Sequence, residues 1–301
     1  MKEKAIAPES LLLMGRSKLA DYIALTKFRL LLLVLVTVGI GYYLASPQFN
    51  NLVSLFNVLL GVACVGAGAN ALNQWYEQDH DRRMDRTRQR PIPAGRLNSK
   101  EALSFGIIIS FVGLVYLTLT TNGITVLLGL GTWASYLFIY TPLKPKTILN
   151  TWVGAIPGAI PPLMGWTALR GTLDPEALSL FAILYFWQLP HFFAISWVYR
   201  DDYQKGGFRM LSLVDPTGSR TSHQMLIHMI CLLLASIILY FTQQTGLLYL
   251  VSAVGLGGLF LGSILLFYQQ KNTENARRVF FASIIYFPIL WIVMILDRIL
   301  G

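Results

Sequence analysis

The chain has 301 residues, 54% of them hydrophobic and only 13% charged, with a mean hydropathy of +0.55. A soluble domain carries about 25% charged residues, so these figures exclude most water-soluble architectures, and the abundance of aliphatic and aromatic side chains excludes disorder. The formal net charge of +9 has two readings: nucleic-acid contact, or the bias that keeps Lys and Arg in cytoplasmic loops of membrane proteins.

Taken in chain order, the N-terminal residues lead to no expectation of a leader. Its apolar run Leu11 to Met14 is too short for a signal core, and Glu3, Glu9 and Asp21 are foreign to a mitochondrial transit peptide. The expected location is therefore a bacterial plasma membrane, with the mitochondrial inner membrane second. Residues 1–28 read as a cytoplasmic segment and residues 29–301 as a single polytopic domain. A span needs about 20 apolar residues, and nine runs qualify: Leu30 to Ala45, Val53 to Tyr76, Leu103 to Thr120, Ile124 to Tyr140, Thr151 to Leu169, Leu178 to Tyr199, Met225 to Phe241, Leu247 to Phe267 and Val279 to Leu296. The fifth contains Gly154, Pro157, Gly158, Pro161 and Pro162, which predicts a bend. Cys64 and Cys231 lie in apolar runs, where no disulfide is expected.

The nine-span expectation places 22 of the 24 Lys and Arg residues on one side, leaving only Arg170 and Arg298 opposite. That asymmetry predicts a cytoplasmic N-terminus and an external C-terminus. It also makes nucleic-acid binding by the Arg82 to Arg96 stretch a weak reading. Acidic residues crowd the same side, 12 of 15, although they contribute little to topology.

Asn73, Glu77 and Asp81 follow one another at intervals of four, which places them on one helical face, with Asp85 extending the stripe and Asp79 pointing elsewhere. Carboxylates gathered so closely at membrane depth need a cation among them, and oxygen ligands with substrate phosphates suit Mg²⁺. The bland alternative is a solvated helix end. A second acidic pair, Asp201 and Asp202, follows Arg200 and precedes Gly206-Gly207; the alternative there is a simple interfacial salt bridge. After the fourth span, Lys144 is placed to neutralise a departing diphosphate, whereas Lys146 reads as a snorkelling anchor. Two acidic motifs and a basic loop on one face, above an apolar interior, describe a site for a metal diphosphate with a hydrocarbon tail. His191, within the sixth span, is a functional candidate by its position, with Gln188 one turn away; His80, His223 and His228 read as packing or interfacial residues.

The run Asn73-x-x-x-Glu77-x-x-x-Asp81, followed by Met84, Arg86-Thr87 and Arg90-Pro91, resembles the first motif of the UbiA superfamily of intramembrane prenyltransferases. GAIPGAIPPLMGW (Gly154 to Trp166), WQLPHF (Trp187 to Phe192), RDDY and GGFRML are similar to its heme-farnesylating branch, and the likeness runs from about Asp21 to Thr221. Three departures stand out: Phe28 where many relatives have proline, Glu77 in place of aspartate, and a lysine loop one residue short. The resemblance implies an all-α bundle of nine transmembrane helices and farnesyl transfer from farnesyl diphosphate to heme b with Mg²⁺. It further implies Glu77 and Asp81 on one metal, Asp202 with Asp201 on another, and Asn73 as a neutral ligand. Lys144, Arg86, Arg90 and Arg200 then contact the diphosphate, while His191 and Gln188 contact the acceptor. Implied partners are bilayer lipid, heme b, farnesyl diphosphate, and a heme a synthase or terminal oxidase assembly downstream. Two rivals stand beside this reading: the same transfer to an aromatic quinone precursor or another tetrapyrrole, and a cation transporter, which would carry its charges at the membrane midplane.

Overall fold

The computed structural model describes residues 17–46 and 51–300. Most of the expected N-terminal segment, with Lys2, Lys4 and Arg16, lies outside the described residues.

A short helix, α1 (Lys18–Leu25), is capped by the Ser17 hydroxyl and joins α2 (Phe28–Ala45) through Lys27. Next come α3 (Leu52–Tyr76), the six-residue α4 (Gln78–Arg83) and α5 (Ser99–Thr120). Asn51 caps α3, and Asn98 with Glu101 forms a reciprocal capping box at the start of α5. The span after it begins as α6 (Gly123–Ala134) and continues through a π-helical stretch (Ser135–Tyr140) into a last turn, Thr141–Leu143. The extra residue per turn in such a stretch swings side chains to new directions. Then follow α7 (Asn150–Ala159), α8 (Pro161–Arg170) and α9 (Pro175–Val198). The chain ends with α10 (Arg200–Gly206), α11 (Leu211–Val214), α12 (Ser219–Phe241), α13 (Leu247–Gln269) and α14 (Thr273–Leu300).

Among the described residues, eight helical segments are long and apolar enough to cross a bilayer. The run expected as the fifth span is instead two helices of ten residues, α7 and α8, parted at Ile160. Pro161 and Pro162 supply no amide hydrogens to continue α7, and they are tolerated as the first residues of α8. The predicted bend is therefore a break. Large apolar side chains such as Leu33, Phe111, Leu119, Leu127 and Leu259 remain exposed along the spans, an arrangement that only a lipid surround accommodates. The chain is a multi-pass membrane protein.

One apolar cluster joins the helices of the C-terminal half, with Phe193, Met229, Phe260 and Tyr286 at its centre. A second holds α2, α3 and α8 together through Val38, Val62 and Met164. The crossing of α2 and α8 is close because both helices present glycine. A Cβ on Gly41 would strike the Pro162 carbonyl, and one on Gly165 the Val38 carbonyl. Backbone cannot yield as a side chain does, so Gly165→Val is expected to destabilise the fold at the upper end of the usual overpacking cost of about 1–3 kcal/mol. Thermal unfolding in detergent, compared with Gly131→Val, where a Cβ meets open space, measures this.

A third small cluster, Leu25, Ala71, Ile92 and Leu97, lies under the loop that follows α4. It anchors α1 and that loop to the end of α3, at the face that carries most of the Lys and Arg. The two exceptions, Arg170 and Arg298, line one cavity of about 920 Å³ beside the α12–α13 turn.

Candidate active site

The helical period that relates Asn73, Glu77 and Asp81 survives the junction of α3 and α4. Glu77 N donates to the Asn73 carbonyl at 2.9 Å and Asp81 N to the Glu77 carbonyl at 2.8 Å. All three side chains are buried, at 0%, 3% and 0% exposure. Each meets a different partner. Asn73 Oδ1 accepts from Lys27 Nζ at 2.9 Å, Glu77 Oε1 faces Lys144 Nζ at 2.7 Å, and Asp81 Oδ2 accepts from Arg90 Nη1 at 2.7 Å. Asn73 Nδ2 donates to Thr141 Oγ1 at 3.1 Å, and that hydroxyl donates to the Tyr136 carbonyl at 2.8 Å. The π-helical stretch thereby closes one wall of the site. Lys144 lies over the Tyr140 ring, 4.6 Å from its centroid, and Lys27 also donates to Tyr136 Oη at 3.3 Å.

Three cations thus surround two carboxylates and an amide. Burial pushes the Glu77 carboxyl up, but Lys144 and Lys27 outweigh it and hold the group below its ordinary value. Burial would lower Lys144, yet Glu77 holds it above its usual value. Lys27 receives too little compensation: burial first, then Arg90 and Lys144, pull it from 10.5 down to about 7. With Lys27 charged, three cations face two carboxylates, and added negative charge would stabilise the cluster.

Lys27 escaped the sequence reading as a site residue. It adopts the left-handed conformation, φ 51° and ψ 50°, which is uncommon for a side chain of its kind. The joint is held from α3: Asn70 Nδ2 donates to the Thr26 carbonyl at 2.9 Å, and Gln74 Nε2 to the Leu25 carbonyl at 2.9 Å. Such strain persists where the surroundings over-determine it, and functional sites are where it collects. The LTKFR sequence itself was the available signal, a lysine placed between two apolar runs.

Asp85 does not extend the acidic stripe. The helix stops at Arg83, and Asp85 turns outward to Lys205 at 2.5 Å and Arg88 at 3.6 Å. Asp79, as expected, points away and pairs with Arg82. The second acidic motif is not gathered with the first. Asp202 accepts from the amides of Asp85 at 2.9 Å and Arg86 at 3.1 Å, while Asp201 is largely exposed and faces Arg200 at 3.8 Å. Among the described residues no group of three His, Cys, Asp or Glu side chains converges as a metal site. Instead Asp202 clamps the loop after α4 to α10. His80 Nδ1 donates to the Gly206 carbonyl at 2.6 Å, and Arg209 N donates to the Lys144 carbonyl at 2.7 Å. The three polar loops therefore form one cap over Glu77 and Asp81. Arg86 lies over the rings of Tyr199 and Tyr203, at 5.4 and 5.7 Å, and Arg200 over Trp197 at 5.3 Å.

Deeper in α9, Gln188 Nε2 donates to the Leu184 carbonyl at 3.0 Å and to the Ala155 carbonyl at 3.4 Å, bracing the broken α7. His191 Nδ1 lies 2.7 Å from Ser283 Oγ on α14. His228 packs between α7 and α12: Nδ1 donates to the Gln224 carbonyl, and Nε2 accepts from Trp152 Nε1 at 3.2 Å.

A buried cluster of Lys27, Lys144 and Arg90 about Glu77 and Asp81, under a polar cap at one end of long apolar helices, is the site of a helical membrane protein whose polar chemistry sits at a helix-end surface. Residues 34–285 match the UbiA prenyltransferase family, and the chain belongs to that family. It is 42% identical over 287 residues to the protoheme IX farnesyltransferase of Solibacter usitatus, covering 92% of this chain and 98% of that one. It is 39% identical over 292 residues to the protein of that name from Koribacter versatilis, covering 94% of each. Among solved structures, one described as digeranylgeranylglyceryl phosphate synthase superposes with a TM-score of 0.81 at 20% identity, covering 94% of this chain and 99% of that chain. A UbiA homologue from Archaeoglobus fulgidus bound to GPP and Mg²⁺ superposes with a TM-score of 0.63 at 15% identity, covering 91% of this chain and 99% of its own.

Proposed function

We propose that the chain transfers the farnesyl group of farnesyl diphosphate to the 2-vinyl group of heme b, with addition of water, to give heme o and diphosphate. The carrying observation is the excess of cations, Lys27, Lys144 and Arg90, around buried Glu77 and Asp81. The names of the relatives support the choice of acceptor.

The residues present fit Mg²⁺. Asp81 Oδ1 is buried without a hydrogen-bond partner among the described residues, and Asn73, Glu77 and Asp81 form an all-oxygen donor set. Glu77 and Asp81 would hold the ion with Asn73 beside them, and Asp202 with Asp201 would hold a second once Asp202 leaves the Asp85 and Arg86 amides. When bound, Mg²⁺ supplies charge neutralisation for the diphosphate oxygens. Lys27, Lys144 and Arg90 bind the diphosphate and stabilise the negative charge that grows as the C1–O bond breaks. Arg86 and Arg200 reach the same headgroup from the cap.

The bond's electron pair leaves with diphosphate, and the allylic cation forms beside side chains that are buried under the cap. The terminal vinyl carbon joins C1 of the farnesyl group. Positive charge then rests on the carbon next to the macrocycle; a water oxygen adds there and releases one proton. The chain needs no strong base to activate this acceptor. His191 and Gln188 belong to the acceptor side. The basic face is cytoplasmic in this reading, α7 and α8 together make a ninth crossing, and the membrane is the bacterial plasma membrane. A heme a synthase or oxidase assembly would take the product.

Membranes containing the chain, supplied with heme b, farnesyl diphosphate and Mg²⁺, are expected to yield a pigment with the mass of heme o, and chelation is expected to abolish it. A prenylated aromatic acid in its place, with no modified heme, would overturn the acceptor.

A further inference from the structure

Ser283 decides the state of His191. Its hydroxyl donates to the Phe280 carbonyl at 2.6 Å. A hydroxyl has one hydrogen, so at 2.7 Å from His191 Nδ1 the serine oxygen accepts, and Nδ1 carries the hydrogen. Among the described residues no carboxylate contacts this imidazole, and an unpaired imidazolium within a span is costly. The ring is therefore neutral, with its lone pair on Nε2. That atom has no hydrogen-bond partner among the described residues and is not fully buried. An imidazole whose Nδ1–H is fixed and whose Nε2 lies open is prepared for a metal.

The surroundings specify which kind. Trp187 and Phe280 stack on the imidazole at 5.3 and 5.1 Å, inclined by 19° and 25°, and Phe287 stacks on Trp187 at 4.2 Å and 20°. A metal bonded to Nε2 lies in the imidazole plane, so a macrocycle around it stands across that plane. Its face would meet the edges of the parallel rings, the edge-to-face arrangement that aromatic quadrupoles favour. Depth agrees as well. His191 lies seven residues before the end of α9 at Val198, about 10 Å below it at the helical rise. That depth puts a macrocycle bound there inside the membrane, below the polar cap.

The other histidines do not compete. Nε2 of His228 accepts from Trp152 and Nε2 of His223 faces the Tyr268 hydroxyl, while His80 sits in the polar cap.

We propose that His191 Nε2 is an axial ligand to the iron of the tetrapyrrole acceptor and that Ser283 holds its tautomer. This rests on the acceptor proposed above. The ligand bond fixes the height of the macrocycle, and the ring edges fix its tilt.

The test uses purified full-length protein in detergent with ferric heme b and no farnesyl diphosphate, followed by optical titration and electron paramagnetic resonance. The wild type is expected to show saturable binding with a histidine-ligated spectrum. His191→Gly is expected to lose that spectrum and regain it with added imidazole, which also shows that the variant is folded. His191→Met is expected to change it to a thioether-ligated form, and His228→Ala to leave it unaltered. Ser283→Ala is expected to weaken heme binding about 10- to 100-fold, as loss of a ligand's own hydrogen-bond partner does. A wild-type spectrum unchanged in His191→Gly and His191→Met overturns the ligand while leaving the acceptor intact. A wild type that binds no heme overturns both.

Discussion

Replacing Asp81 with asparagine is expected to lower kcat/KM for farnesyl transfer by about 10²- to 10³-fold, while leaving the protein folded. The two parts of this result have separate origins. Asparagine keeps the volume and one oxygen for Arg90, whose guanidinium now lies 2.7 Å from Asp81 Oδ2. It removes the charge, and with it the buried oxygen Oδ1, which has no hydrogen-bond partner among the described residues and is the natural ligand for a cation. Losing one preorganised charge in a dry transition-state pocket costs about 3–4 kcal/mol, and each 1.36 kcal/mol is tenfold in rate. Asp81→Ala should lose as much activity and in addition on the order of 3 kcal/mol of stability, because it leaves the partly buried Arg90 without its partner. Steady-state rates with heme b, read beside thermal unfolding of both variants, separate the effects. Asp81→Ala with full heme o formation would remove Asp81 from the mechanism.

The helix period made the first acidic motif legible. Four-residue spacing predicts one face for Asn73, Glu77 and Asp81, and because the backbone bonds continue through Glu77, the change from α3 to α4 did not disturb it. The same rule failed at Asp85, where the chain leaves the helix and Lys205, distant in sequence, takes the carboxylate. Pro157, Pro161 and Pro162 announced a disturbance in the fifth run, and the lack of amide hydrogens turned it into a break. Asp202 was recognisable as an acid near the site, but its partners are the amides of Asp85 and Arg86. Backbone amides have no side-chain signature, so nothing in the sequence foretold a clamp. The Asn70 and Gln74 bonds that set Lys27 into a left-handed turn are likewise tertiary. Counting lysines by loop could find its side of the membrane but not its place among Arg90, Lys144 and Glu77.

That place leads to the second large expectation. Lys27→Met is expected to lower kcat/KM for farnesyl transfer by about 10²- to 10³-fold with little loss of stability in the free protein. The ammonium donates to Asn73 and Tyr136, and losing these bonds costs about 1 kcal/mol each. Against this, the variant no longer holds a third cation against Arg90 and Lys144 in a setting that favours the neutral amine, and methionine retains the apolar stem. The two contributions oppose one another. With diphosphate present the balance changes, because the anion is attracted by the charge that the free protein tolerates poorly. Diphosphate with Mg²⁺ should therefore raise the melting temperature of the wild type, and should raise that of Lys27→Met much less. Equal shifts in the two proteins would show that Lys27 only props Asn73. A normal shift with a lost rate would place its contribution in the transition state alone, where charge on the leaving oxygens is greatest.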